Sequence, residues 1–163
     1  VLTEAGQADR LDDKGLRAVE GRLRVLGIRL AATLRVPHRA PAIAGALRGA
    51  AADLLLMLTG AATSDPMDVG PEGLRLAGGR LLRFGIPVDP GNLLFLGRLG
   101  RRPVIGLPGC ARSPALNGAD WVLDRVACGL PIRPADFAAM GVGGLLKDTP
   151  LRGAPREPGE AAG

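Results

Sequence analysis

Leu54-Leu-Leu-Met-Leu58 is an unbroken apolar run, with no polar residue at alternate positions. A strand of this kind has no face for water and must be covered on both sides, as the central strands of parallel sheets are. Turn-forming residues bound the run. Asp53 precedes it, and Thr59-Gly-Ala-Ala-Thr-Ser-Asp-Pro-Met-Asp-Val-Gly70 follows, a loop of small residues carrying two acids, Asp65 and Asp68. Pro71 then suits the first turn of a helix, where its missing N–H costs nothing. In an open parallel sheet, ligands collect at the carboxyl ends of the strands. Helix N-termini there direct unpaired N–H groups at anions.

The flanking pattern fits the same architecture. Val1–Thr3 reads as the end of a first strand, and Glu4–Asp13 as a polar loop. Lys14–Leu26 carries Leu16, Val19, Leu23 and Leu26 at helical spacing, and Gly27 stops it. Arg29–Val36 alternates like a half-buried strand and ends at Pro37-His38. Arg39–Ala50 predicts a helix with Ile43 and Leu47 inward, and Pro71–Ala77 another, closed by Gly78-Gly79. Leu81–Phe84 is a short strand. Leu93–Leu96 and Pro103–Leu107 flank Gly97–Arg102 as a hairpin at the sheet edge. Ser113-Pro114 predicts a helix start, with Ser as cap and Pro at the first position. That helix carries Leu116, Trp121, Leu123 and Val126 to about Cys128, and Arg133–Met140 forms a shorter one. Strands alternating with helices predict right-handed crossovers. The expected fold is α/β, a three-layer α/β/α arrangement around a mostly parallel, doubly wound sheet with an edge hairpin.

The 163 residues suffice for one domain with its own core. With 47% apolar but only 2% aromatic residues and no Tyr, that core must be aliphatic. The expected domain spans 1–149, and 150–163 reads as a Pro/Gly-rich tail or a linker to a missing domain. Val1 sits inside a strand pattern, as in a piece of a longer protein. The net charge of +5 raises the thought of nucleic acid. The arginines are scattered, however, without a basic block or an aromatic-interleaved patch, so no nucleic-acid partner is expected. Cys110 and Cys128 match neither zinc nor redox spacing, which fits a reduced, cytoplasmic setting. No apolar run has the length of a membrane span, and no signal peptide is visible. There is no Walker loop, no Gly-x-Gly-x-x-Gly after the first strand, and no nucleophile elbow to use His38, the sole histidine.

Four segments are expected at one sheet edge: Thr3–Ala8, Pro37-His38, Thr59–Pro71 and Leu107–Ser113. Gly91 and Gly109 let backbone N–H groups approach a phosphate, or simply make turns. Asp65 and Asp68 suit Mg²⁺, which takes one or two carboxylates plus phosphate oxygens and water, or else one or both cap the following helix or simply face solvent. His38 offers acid–base chemistry near neutral pH, or is simply exposed. Cys110 precedes a helix, where N–H groups favour a thiolate, or it is a packing residue. Arg112 brings a forked donor suited to phosphate, or is solvated.

These residues together resemble the molybdopterin-binding domain of molybdenum-cofactor biosynthesis proteins, the fold of molybdopterin adenylyltransferases and molybdate-insertion enzymes. Asp13-Lys14-Gly15 follows the first loop as in the adenylyltransferase branch. Leu58–Pro71 is similar to that family's Thr-Gly-Gly-Thr-Gly segment ending in Arg-Asp-Val-Thr-Pro, with Asp68 on its functional Asp. Pro87–Asn92 and Gly106–Cys110 resemble the Pro-Gly and Leu-Pro-Gly-Asn-Pro loops of the insertion branch. The segments Pro87–Leu94, Pro108–Pro114, Asn117-Gly118, Asp120–Leu123 and Met140–Leu146 resemble a bacterial subgroup. In that subgroup the domain precedes a nucleotidyltransferase domain akin to molybdenum-cofactor cytidylyltransferases. The resemblance implies that molybdopterin or the molybdenum cofactor is bound by Thr3, Glu4, Thr59, Gly60, Ala61, Ser64, Asp65, Asp68, Gly91, Asn92, Pro108, Gly109, Cys110, Arg112 and Ser113. The phosphate would lie toward Gly91, Gly109 and Arg112, and Asp68, also the candidate catalytic residue, beside Mg²⁺ or a pterin amine. It further implies a nucleotidyltransferase domain in the same full-length chain, a homo-oligomer, and, as alternative activities, Mg²⁺-dependent nucleotidyl transfer to molybdopterin or molybdate insertion. A degenerate oligomerisation scaffold is the third reading. The sequence departs from the family pattern at Gly60-Ala61 and Thr63, where glycines are expected. It departs again at His38, where an acidic residue is expected, at Glu4, in place of a shorter acid, and at Cys110, in place of Asn.

Overall fold

The computed structural model describes residues 2–4, 9–61, 63–141 and 143–144. Strand β1 (Leu2–Glu4) leads to helix α1 (Asp9–Val25), β2 (Leu34–Val36), α2 (Ala40–Gly49), β3 (Leu55–Leu58) and α3 (Val69–Leu76). Then come β4 (Arg80–Phe84), β5 (Val88–Asp89), β6 (Phe95–Leu99) and β7 (Arg102–Leu107). A 3₁₀ turn at Gly109–Arg112 precedes α4 (Gly118–Ala127), α5 (Pro134–Ala138) and β8 (Gly143–Gly144). The protein is mixed α/β, with an open mixed sheet ordered β2-β1-β3-β7-β6-β4. Strands β2, β1, β3 and β7 run parallel, while β6 is antiparallel to both its neighbours. Strands β5 and β8 form a separate parallel pair. No helix among the described residues is long and apolar enough to cross a membrane.

The apolar run at β3 is central, as its composition requires. Successive strand side chains point to opposite faces. Leu56 and Leu58 join one core cluster with Val19 and Leu23 of α1 and Val122 and Leu123 of α4. Leu55 and Met57 join another with Ile43 and Leu47 of α2 and Leu74 of α3. Each such side chain contributes on the order of 2 kcal/mol by leaving water.

Small residues elsewhere in the sheet make room for large ones. Phe95 pairs with Gly106 across β6 and β7, and its ring covers the glycine. Leu74 likewise occupies the space above Gly79 and Gly97. Gly97 therefore belongs inside β6 and does not start the expected Gly97–Arg102 connection. The turn is shorter: Leu99 pairs with Arg102, and Gly100 takes φ +61°. Nor is the hairpin at the edge. Strand β7 lies against β3, and β4 is the outer strand.

Other boundaries differ for physical reasons. Helix α1 begins at Asp9, inside the expected Glu4–Asp13 loop. No apolar spacing ahead of Lys14 reveals that start. Strand β2 is confined to Leu34–Val36, opposite Leu2–Glu4 of β1. Helix α3 starts at Val69, two residues before Pro71. Ser113-Pro114 does not start a helix. Asn117 caps α4 through a reciprocal box with Asp120, its side chain accepting from the Ala119 N–H at 2.9 Å. The tail from Pro150 lies outside the described residues, as do Ala5–Ala8.

A Cβ at Gly106 would lie 1.9 Å from the Phe95 ring, which is 1% exposed and has nowhere to move. Gly106→Val is expected to cost about 2–3 kcal/mol through overpacking, read as a lower urea midpoint. Adding Phe95→Leu should recover part of the loss, because the two changes share one contact.

Candidate functional site

The carboxyl ends of the four parallel strands share one edge. Leu58 of β3 pairs with Leu107 of β7, so the loops leaving at Thr59 and Pro108 start side by side. A direct contact joins them: Arg112 Nη2 donates to the Thr59 carbonyl at 2.5 Å. Gly15 of α1 packs against both, since a Cβ there would lie 2.6 Å from Leu58 Cδ2 and 3.1 Å from Arg112 Cγ. Arg112 is half-buried, its Nε has no partner among the described residues, and its Nη1 lies beside Gly109.

The Pro90–Asn92 loop reaches the same place through α4. Gly91 has φ +128°, and a Cβ there would lie 2.7 Å from the Gly118 nitrogen. The Gly118 N–H donates to the Pro90 carbonyl at 2.7 Å. Both demands, conformation and close approach, require glycine at 91. Gly109 is different, because it has ordinary φ and a Cβ there would make only an ordinary contact, 3.7 Å from Arg112 Nη1. The Gly91 backbone lies near enough to the Cys110 thiol to act on its pKa, in the lowering direction. Asn92 is exposed, and its carbonyl accepts from Ile86 at 3.0 Å.

The Thr59–Asp68 loop is organised by its own side chains. The Thr59 hydroxyl donates to the Ala61 carbonyl at 2.7 Å and lies 3.2 Å from the Thr63 hydroxyl, both threonines being buried. Neither Gly60 nor Ala61 has a positive φ, so alanine is admitted where the resemblance expects glycine. Asp68 Oδ2 accepts from the Ser64 and Asp65 N–H groups at 2.7 and 2.9 Å. Asp65 Oδ1 accepts from the Met67 N–H at 2.7 Å. Asp68 occupies the cap position of α3, yet its side chain makes no bond to that helix. The two acids thus close a tight turn.

That arrangement limits what the chain offers a metal. No group of three or more His, Cys, Asp or Glu among the described residues is placed to hold one. One oxygen of Asp68 is already committed to two N–H groups, and the remaining donors of a magnesium site would have to be ligand phosphate and water. The described residues do not make a magnesium site on their own.

Cys110 is exposed as a residue, yet partial burial of its thiol raises the pKa above the usual 9.0. Its own N–H and that of Gly91 oppose the shift, Asp89 adds to it, and Arg22 opposes it. Of the two readings of Cys110, the thiolate is the one disfavoured, because desolvation outweighs the N–H groups.

Not every expected residue joins the cluster. His38 leaves from β2, and β1 separates that strand from β3. Thr3 and Glu4 are in β1 beside β3, and their side chains lie outside the described residues. Ser113 is half-buried, and its hydroxyl accepts from the Ala115 N–H at 3.3 Å instead of capping a helix. A cavity of about 720 Å³ opens at the opposite, amino end of the strands, lined by Leu23, Ile28, Leu30, Ala50, Asp53 and Val126 among others. One residue that sequence reasoning missed is Arg22, whose side chain enters this region from α1 and bonds to Ala111, Ser113, Ala115 and Asp120. Its partners are 89–98 residues away, so no local spacing reveals it.

No protein-family model matches this chain, and no curated protein matches it.

The raised Cys110 pKa has a direct consequence. In a Cys128→Ser background, iodoacetamide should alkylate Cys110 more slowly at pH 7–8 than it alkylates an unfolded peptide of the same sequence. The difference should shrink as pH rises past the folded-state value. In stability terms, the advantage of the folded thiol is fully present below the ordinary thiol value of 9.0 and is lost as pH rises through the higher folded-state value.

Proposed function

We propose that the carboxyl-edge loops bind molybdopterin or the molybdenum cofactor by its phosphate end and present it to a nucleotidyltransferase domain of the same full-length chain. The observation that carries the reading is the closure of the β3 and β7 loops by Arg112 on Thr59. It leaves a guanidinium edge beside Gly109, with the Gly91 N–H close by at Cys110. A planar fork and backbone N–H groups are the donors that phosphate oxygens select. In this reading Arg112, Gly91 and Gly109 hold the phosphate, and the Thr59–Asp68 turn bounds the pterin. The fold is read as a three-layer α/β/α domain with a doubly wound sheet, consistent with the separate core clusters around alternate β3 side chains. A cytoplasmic homo-oligomer completes the proposal.

Binding is favoured over nucleotidyl transfer or molybdate insertion because the acids here close a turn instead of presenting a pair of free carboxylates. The scaffold reading has one observation of its own. The Thr59–Asp68 loop satisfies much of its own hydrogen bonding, as a loop without a ligand would.

Anaerobic titration of the domain with molybdopterin, followed by equilibrium dialysis, tests the choice. The wild type should bind, and Arg112→Gln should weaken binding at least tenfold, the scale of one lost charge-assisted bond, while the fold persists by circular dichroism. No binding by the wild type would remove the molybdopterin reading and leave the scaffold.

A further inference from the structure

The geometry assigns to Arg22 the role of positioning residue for this site: it aims Arg112 at the anion's place without touching the ligand. The inference rests on the reading that the site holds a phosphate group. Arg22 lies within α1, and its side chain is 9% exposed. Its Nε donates to Asp120 Oδ1. Nη1 donates to the Ala18 and Ala111 carbonyls at 3.3 and 2.8 Å. Nη2 donates to the Ser113 and Ala115 carbonyls at 2.9 and 3.0 Å. All the N–H groups of the guanidinium are engaged, one at Nε and two at each Nη.

The choice of carbonyls is what makes this a positioning device. Ala111 and Ser113 are the residues on either side of Arg112. With both neighbouring carbonyls held by Arg22, the intervening backbone is fixed and the Arg112 side chain projects to the Thr59 carbonyl. The other arm works on the Gly91 side. Asp120 Oδ2 accepts from the Asn117 N–H at 2.8 Å, and the adjoining Gly118 N–H holds the Pro90 carbonyl. One guanidinium thereby sets the spacing between Arg112 and Gly91, the groups proposed to face the phosphate. Lysine cannot take this place, because a single ammonium cannot span three loop carbonyls and a carboxylate in a planar fork.

The test uses Arg22→Lys in a Cys128→Ser background, with Arg17→Lys, an exposed position of the same helix, as control. Without any ligand, Cys110 alkylation should quicken severalfold in Arg22→Lys and stay unchanged in Arg17→Lys. An unchanged rate in Arg22→Lys overturns the assignment. Inorganic pyrophosphate binding then separates the inference from the reading beneath it. Arg22→Lys should lose about as much affinity as Arg112→Gln, and the double variant should be no worse than Arg112→Gln alone, since a residue acting through Arg112 has nothing left to position. Additive losses overturn the positioning role. Absence of pyrophosphate binding in the wild type, with the thiol response intact, instead overturns the phosphate site while the clamp on the loop stands. Should Arg22→Lys fail to fold, Asp120→Asn keeps an acceptor for the cap and weakens the clamp. It should shift the thiol rate in the same direction by a smaller factor, and no shift there also overturns the assignment.

Discussion

The parallel pairing of β3 with β7 decides which parts of this chain meet. Leu55 to Leu58 run beside Val104 to Leu107 in unbroken register. Segments about fifty residues apart therefore release their loops at adjacent points on one edge. A change of one residue in that register would turn every side chain of a central strand to the wrong face. The register is held by burial, since Leu55–Leu58 and Val104–Leu107 are buried throughout. The place where Thr59 and Pro108 emerge is thus a by-product of packing the core.

Two arginines convert that proximity into a defined structure. Arg112 bridges the loops, and Arg22 fixes the backbone from which Arg112 extends. The Arg22–Asp120 pair is largely desolvated, at 9% and 13% side-chain exposure. Such a pair contributes little net stability compared with apolar residues of the same volume, but removing one partner costs about 3–5 kcal/mol. Here the further bonds to three loop carbonyls satisfy the buried guanidinium. The same bonds anchor a 3₁₀ turn and the irregular stretch after it to α1.

The acids of the Thr59–Asp68 loop show how one residue type serves two chemistries. Two carboxylates three residues apart are compatible with a cation site and with a turn closed by backbone N–H groups. In this chain Asp68 curls back to Ser64 and Asp65, and Asp65 to Met67. Those bonds shape the Ser64–Asp68 turn through its own backbone N–H groups.

Much of the fold was readable from the residues alone. The β3 run, the apolar periodicity of α1 and α2, and the strand–helix alternation follow from burial, whose period is written locally. The Thr59 and Pro108 loops were placed on one edge for the same reason. What failed in that reading was everything set by a distant partner. Gly97 belongs to a strand where Leu74 fills the space above it, and the hairpin lies inside the sheet because β4 pairs outside it, whereas the start of α4 is a local capping box between Asn117 and Asp120 that the Ser113-Pro114 reading passed over. Arg22 is the extreme case. Inside α1 it resembles any other helix arginine, and only the packing of α1 against the Gly109–Ala115 segment gives its charge a purpose. Local order along the chain determined the elements and their faces. Tertiary structure decided the site, because hydrogen bonds from one guanidinium to carbonyls some ninety residues away have no signature in either stretch of sequence.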